Sequence, residues 1–161
     1  MKLAIYPGSF DPLTLGHMNI IKRASSIFDR LIICVFVNSG KNPLFSAAER
    51  VDMIRRAVSG IPNVEVEHSS ELIAEYAMGK GDCVLIKGIR TMTDFEKECQ
   101  MATVNKKINP ALETMFLPSD PEFVYLSSSV VREMARYGRD LREFVPEVII
   151  PDIAARIKNG G

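Results

Sequence analysis

The chain has 161 residues, which is enough for one domain with a hydrophobic core of its own. Its 20 basic and 20 acidic side chains cancel, so the composition does not favour a nucleic acid as a partner. It contains no run of about 18 apolar residues, which argues against a membrane partner. Three cysteines without a C-x-x-C pair indicate buried thiols in a reducing cytoplasm rather than a disulfide framework or a metal site.

Short apolar segments alternate with amphipathic segments along the chain. Continuous apolar runs are typical of strands in a parallel sheet, and apolar residues three and four positions apart indicate helices. The predicted strands are Leu3–Tyr6, Leu31–Val37, Val64–Glu67, Cys83–Ile86 and Thr114–Leu117. The predicted helices are Leu15–Phe28, a segment from the capping box at Ser46 to about Val58, Glu71–Met78, a segment from the capping box at Thr93 to about Lys107, Ser128–Tyr137 and a short segment from Asp152. This alternation predicts an α/β fold: a single domain over residues 1–161 with a Rossmann-like, doubly wound, five-stranded parallel sheet of order 3-2-1-4-5.

Two unusual segments follow the first and the fourth predicted strands. In a sheet of order 3-2-1-4-5 the strand order reverses between these two strands. Ligands of open α/β sheets bind beside such a reversal, at the carboxyl ends of the strands. The residues after Tyr6 and after Ile86 therefore form the candidate site.

The first of these segments, Gly8–His17, reads GSFDPLTLGH. Gly8 allows a sharp turn and the close approach of a ligand. Thr14 is the expected N-cap of the following helix, which places His17 at the third helical position with its imidazole directed back towards the helix N-terminus. Free backbone N–H groups and the positive end of the helix dipole favour a phosphate there. The Walker motif and the G-x-G-x-x-G fingerprint are absent, which disfavours P-loop hydrolysis and hydride transfer.

Three further segments carry groups that suit anions. Lys87 and Arg90 flank Gly88 after the fourth strand and form a cationic clamp for a triphosphate. Ser127–Ser129 lead into the fifth helix, where hydroxyl groups and backbone amides provide another anion site. Lys41 follows the second strand, near the same edge of the sheet.

These motifs resemble those of the nucleotidylyltransferase superfamily. Gly8–His17 is similar to the signature G-[ST]-F-D-P-x-x-x-G-H, and Leu126–Arg132 is similar to I-S-S-[ST]-x-[IV]-R. The order and spacing of YPGSFDPLTLGH, KNPLF–ER (residues 41–45 and 49–50), LIKGIRTMTDFEKECQMA and FVYLSSSVVRE resemble bacterial phosphopantetheine adenylyltransferase more closely still. This resemblance extends over nearly the whole chain, to about Pro146.

The resemblance implies an enzyme of coenzyme A synthesis. Members of this family transfer AMP from ATP to 4′-phosphopantetheine, giving dephospho-coenzyme A and pyrophosphate, with Mg²⁺ as the cofactor. The resemblance also implies a homohexamer, and coenzyme A as a feedback ligand.

The resemblance further implies a set of site residues. The ATP positions are Ser9, Phe10, His17, Gly88, Ile89, Arg90, Glu98, Phe123, Val124, Tyr125, Leu126, Ser127, Ser128 and Ser129, and the phosphopantetheine positions are Ser9, Lys41, Ile73 and Lys87. His17 corresponds to the transition-state stabiliser of the family, and we assign His17 and Lys41 to the α-phosphoryl group as the catalytic pair. Many members carry arginine at the position of Lys87. Lysine offers a single point charge there, whereas the guanidinium group of arginine can donate two parallel hydrogen bonds.

The implied reaction needs no general base, because the phosphate of 4′-phosphopantetheine is already an anion. Positioning and charge stabilisation supply the catalysis instead. Two alternatives stay open. A sibling enzyme that uses CTP or nicotinamide mononucleotide has the same fold, and a non-catalytic nucleotide-binding regulator is a different class. The joint presence of His17, Lys41 and Lys87 speaks against the regulator, since a pure binder needs no transition-state histidine.

The helix predicted after Thr93 is apolar on two sides. One face carries Phe95, Cys99 and Ala102, and the nearly opposite face carries Met101, Val104 and Ile108. A helix with two apolar faces is buried on both. We therefore expect the second face to pack against another subunit.

Overall fold

A five-stranded parallel sheet forms the centre of the computed structural model, which describes residues 2–37 and 42–160. Its strands are β1 Leu3–Gly8, β2 Arg30–Phe36, β3 Val64–Ser69, β4 Cys83–Ile89 and β5 Glu113–Pro118. All neighbouring strands pair in parallel, in the order β3-β2-β1-β4-β5. The predicted order 3-2-1-4-5 is confirmed.

Six α-helices cover both faces of this sheet. They are α1 Leu15–Ile27, α2 Ala47–Ala57, α3 Ile73–Lys80, α4 Met92–Ile108, α5 Ser128–Arg136 and α6 Ile150–Lys158, and short 3₁₀ turns lie at Pro121–Phe123 and Glu147–Ile149. The larger core cluster joins α1, α2, α5 and α6 to one face, and a smaller cluster joins α3 to the other, where α4 also packs. Among the described residues, no helix combines the length and the apolar character that crossing a bilayer requires.

The helix starts follow local capping chemistry. Ser46 and Glu49 form the predicted capping box of α2. The predicted capping box at Thr93 is wrong: Thr91 caps α4, because its side chain accepts the backbone N–H of Asp94 and its own backbone is extended, so the helix starts two residues earlier. Helix α6 likewise begins at Ile150 rather than at Asp152.

The sheet opens at the predicted reversal point. Strands β1 and β2 pair over their full length, ending with Gly8 opposite Val35. Strands β1 and β4 pair only as far as Ile5 and Leu85, although both strands continue beyond these residues. The carboxyl ends of β1 and β4 therefore separate and leave a crevice between them.

Helix α4 leaves most of its apolar side chains accessible. Asn105 is the only residue of this fully described helix that is buried. On the first predicted face, Cys99 and Ala102 are half-buried and Phe95 makes an edge-to-face contact with Phe116. The second face is open in the single chain, with exposed fractions of 47%, 45% and 39% for Met101, Val104 and Ile108. Its burial against another subunit stays a prediction.

Candidate active site

The turn after β1 is built around an unusual backbone conformation at Phe10. Its φ is 49°, in the left-handed region, and its side chain is buried. Gly8 does not adopt a positive φ, so the conformational freedom expected of Gly8 is not what the turn requires. A Cβ atom at Gly8 would instead lie 2.9 Å from Cζ of Phe10. Glycine is needed here because the Phe10 ring folds back onto the strand.

Buried polar groups hold this turn against the segment before α2. The Asp11 carboxylate accepts the backbone N–H groups of Leu44 and Phe45, at 2.7 and 2.9 Å. Arg50, almost fully buried, donates from Nη1 to the carbonyl of Ser9 at 2.8 Å. The carbonyl of Ser9 is thereby fixed while the Ser9 residue itself stays exposed at the crevice.

Asp11→Asn is expected to destabilise the protein by about 1–3 kcal/mol, because a carboxamide has one oxygen with which to serve two nearly buried amide donors. The measurement is the free energy of unfolding in urea. Asp52→Asn makes the same chemical change at an exposed i,i+4 ion pair with Arg56, so it should shift that free energy by less than about 1 kcal/mol. Equal effects of the two substitutions would contradict the anchoring role of Asp11.

Helix α5 joins the same turn from its other side. The Ser128 hydroxyl donates to the carbonyl of Pro12 at 2.7 Å, and Arg132 donates from Nη1 to the carbonyl of Asp11 at 2.6 Å. Nη2 of Arg132 also lies 3.1 Å from Oγ of Ser129. The serine segment, Ser127–Ser129, and the Gly8–His17 segment therefore form one continuous surface. More than a hundred residues separate these two segments in the sequence.

His17 occupies the position that the sequence predicted. Thr14 caps α1 by accepting the backbone N–H of His17, and Nδ1 of His17 accepts the backbone N–H of Thr14 at 3.0 Å. This is a capping box in which an imidazole replaces the usual carboxylate or amide. Because Nδ1 is an acceptor, the neutral ring carries its proton on Nε2.

The electrostatic surroundings of His17 favour that neutral form. Burial, assisted by the positive charge of Arg90, lowers the pKa of His17 to about 4. The ring also makes an edge-to-face contact with Phe10 at 5.0 Å between centroids. At neutral pH, His17 is thus an uncharged N–H donor held in a fixed orientation.

The two cations predicted after β4 are present in the crevice but already have partners. Lys87 Nζ lies 3.2 Å from a Glu98 carboxylate oxygen, and Arg90 Nε lies 3.3 Å from Asp94. Arg90 also donates from Nη1 to the carbonyl of Leu126 at 3.1 Å, which links β4 to the serine segment. Binding of an anion at Lys87 and Arg90 has to compete with carboxylates of α4.

Sequence comparisons bear directly on this arrangement. Residues 5–134 match the model of the cytidylyltransferase-like family. The phosphopantetheine adenylyltransferase of Caldanaerobacter subterraneus subsp. tengcongensis is 49% identical over 158 residues, which are 98% of this chain and 99% of that protein. The chain belongs to the phosphopantetheine adenylyltransferase family.

Further members of the phosphopantetheine adenylyltransferase family give the same result. The protein of that name from Alkaliphilus metalliredigens is 50% identical over 150 residues, or 93% of this chain and 96% of its own. The one from Clostridium botulinum strain 657 is 49% identical over 159 residues, or 99% of this chain and 97% of its own. The similarity thus continues past Pro146, where the resemblance in the motifs ends.

A solved structure supports the fold independently. It is assigned as a nicotinate-nucleotide adenylyltransferase from Vibrio parahaemolyticus, and it aligns with 97% of this chain and 96% of its own, with a TM-score of 0.66. The sequence identity is 18%, so this likeness concerns the fold alone.

Most family positions on the nucleotide side lie around the crevice. Gly88 packs closely on α1, where an added Cβ would lie 3.0 Å from the Ile20 side chain. Phe123 and Leu126 lie against the start of α1 at Gly16, and Tyr125 is exposed beside them. Their assignment to ATP stays a prediction.

The structure describes three of the four residues that the resemblance assigns to phosphopantetheine, namely Ser9, Ile73 and Lys87. Ile73 begins α3 on the other face of the sheet, where it is partly buried against the smaller core cluster. Lys41 lies outside the described residues. The structure thus brings Ser9 and Lys87 to the crevice. The assignment of Ile73 and Lys41 to phosphopantetheine stays a prediction.

Sequence reasoning missed three residues that build the site: Asp11, Arg50 and Arg132. Each lies inside or beside a motif, so a signal was present in the sequence. Their partners, however, are mostly backbone groups far along the chain, such as the carbonyl of Ser9 for Arg50. Sequence spacing does not reveal such contacts.

Proposed function

We propose that this protein transfers AMP from ATP to 4′-phosphopantetheine, giving dephospho-coenzyme A and pyrophosphate. The observation that carries this proposal is 49% identity over 98% of the chain to a phosphopantetheine adenylyltransferase. The crevice supports it with a neutral imidazole donor, two cations and a serine-rich helix start on one surface.

In this reaction the phosphate of 4′-phosphopantetheine attacks the α-phosphorus of ATP, and pyrophosphate leaves on the opposite side. Nε2–H of His17 donates to a non-bridging oxygen of the α-phosphoryl group, where negative charge is redistributed in the transition state. Lys87 holds the incoming phosphate, and Arg90 with Ser127–Ser129 holds the β- and γ-phosphates. Lys41 is assigned to the α-phosphoryl group from the family resemblance.

Mg²⁺ is the proposed cofactor. The described residues contain no cluster of three His, Cys, Asp or Glu side chains suited to a metal ion. Mg²⁺ is commonly held by substrate phosphates together with one or two carboxylates. When bound, it would reduce the negative charge of the triphosphate and so its repulsion of the anionic nucleophile. We therefore assign Mg²⁺ mainly to the triphosphate of ATP rather than to a cage of protein ligands.

The proposal also covers the cellular compartment, the oligomeric state and a feedback ligand. We infer a cytoplasmic homohexamer whose subunits meet through the exposed apolar face of α4, with coenzyme A as a feedback ligand. Three free cysteines fit a reducing compartment.

The decisive assay measures pyrophosphate release with Mg-ATP or Mg-CTP, each with and without 4′-phosphopantetheine. Release is expected only with ATP and 4′-phosphopantetheine together. Release with CTP instead would favour the sibling cytidylyltransferase. Absence of release from ATP plus 4′-phosphopantetheine would refute the proposed activity.

The lowered pKa of His17 predicts a specific pH dependence of stability. In the unfolded chain the imidazole takes up a proton below about pH 6.5, whereas in the folded chain it does so only near pH 4. The associated stability is complete above about pH 6.5 and is lost as the pH falls towards 4, by about 3 kcal/mol at most. We expect the wild type to lose that much relative to His17→Gln, measured as unfolding free energies between pH 7 and 4.

The His17→Gln comparison isolates this single group. Carboxylate titrations act on both proteins and cancel in the difference, and glutamine at the same helical position retains a reciprocal cap. Parallel stability curves for the two proteins over this pH range would show that the His17 pKa is not lowered.

A further inference from the structure

A pocket of about 840 Å³ lies beside the serine segment, bounded by residues 42–44 and by side chains of α5 and α6. Ser9, Ser128 and Ser129 line it. These serines also belong to the proposed ATP site, so the pocket borders that site.

The pocket is strongly cationic although the chain as a whole has no net charge. Among the residues that the structure describes, four arginines line it and only one carboxylate, that of Asp11. Two of the arginines hold neighbouring segments of the chain together. Arg50 binds the carbonyls of Ser9 and Ser46, and Arg156 binds the carbonyl of Leu44 and pairs with Glu49.

The other two arginines, Arg132 and Arg136, lie four residues apart on the same face of α5. Like charges at this spacing repel each other and weaken a helix. Arg132 is anchored to the carbonyl of Asp11 and to Ser129. Arg136 is exposed, lines the pocket, and makes no side-chain hydrogen bond or ion pair with any residue in the described part of the chain. A bound anion would relieve the repulsion and give Arg136 a partner.

We propose that Arg136 is a further residue of the β,γ-phosphate site at the start of α5, where it binds the diphosphate portion of the nucleotide and then the inorganic diphosphate that is released. This inference rests on the proposed function. An oxygen of 4′-phosphopantetheine bonds to the α-phosphorus while the bond from that phosphorus to the α,β-bridging oxygen breaks. The electron pair stays on the bridging oxygen, and the guanidinium groups of Arg132 and Arg136 stabilise the charge that it brings to the diphosphate.

Calorimetric titration of the free protein with inorganic diphosphate tests the site without relying on turnover. Arg136→Ala should weaken diphosphate binding about tenfold, the size expected for a lost charge-assisted hydrogen bond. Arg136→Lys should recover part of the loss, since it restores charge but not the planar fork. Arg139→Ala is the matched control, an exposed arginine near the end of the same helix that does not line the pocket. Equal diphosphate affinity of wild type and Arg136→Ala would overturn the proposal.

Reverse-direction kinetics, with dephospho-coenzyme A and diphosphate as substrates, give the second readout. Arg136→Ala should raise the KM for diphosphate about tenfold and leave the KM for dephospho-coenzyme A unchanged. An equal rise in both values would mean a general distortion and would also overturn the proposal. If the wild type binds diphosphate but forms no ATP, the proposed function fails while the diphosphate site stands.

Discussion

His17→Ala should lower kcat by roughly 100- to 1,000-fold and leave the affinity for ATP nearly unchanged. This is the size of effect seen when one preorganised donor to transition-state charge is removed. The reason lies in the geometry of α1: the Thr14 N–H fixes Nδ1, the pKa near 4 keeps the ring neutral, and Nε2 is left as the donor. The measurement combines steady-state turnover with direct titration of ATP.

Two further variants separate catalysis from folding. His17→Gln retains a side chain that can accept the Thr14 N–H, so it should fold like the wild type yet lose turnover as His17→Ala does. His68→Ala removes the only other histidine, which is exposed, and should leave turnover unchanged. Equal losses of kcat and ATP affinity in His17→Ala would reduce His17 to a binding residue.

Val104→Glu and Met101→Glu should convert the wild-type assembly into species of smaller mass. Burying an unpaired carboxylate in a subunit interface costs several kcal/mol per site, and a closed ring repeats the interface. Sedimentation at micromolar concentration measures the result. We expect a wild-type mass about six times the 17.9 kDa of one chain.

The control for this prediction lies on the same helix. Thr103→Glu introduces the same charge at an exposed position outside the Met101–Val104–Ile108 face, so the assembly should persist. A monomeric wild type at micromolar concentration would contradict the proposed interface. Dissociation of all three variants would show that charge on α4 in general, rather than this face, controls association.

The sequence was most informative where the determinants are local. Hydrophobic runs located all five strands to within two residues at most ends, and Thr14 was placed correctly as the cap that sets His17. It was least informative where two local signals compete. Thr91 and Thr93 both precede an acidic residue three positions later, and the backbone conformation after β4 selects Thr91.

Periodicity and short motifs were enough to predict the parallel sheet, its reversal between β1 and β4, the family and the chemical types of the site groups. The way in which the Gly8–His17 turn is held could not be predicted from them. Its left-handed Phe10, the Asp11 carboxylate on the amides of Leu44 and Phe45, and Arg132 on the Asp11 carbonyl all depend on contacts between distant segments. The lowered pKa of His17 likewise depends on burial and on Arg90, which are properties of the folded chain.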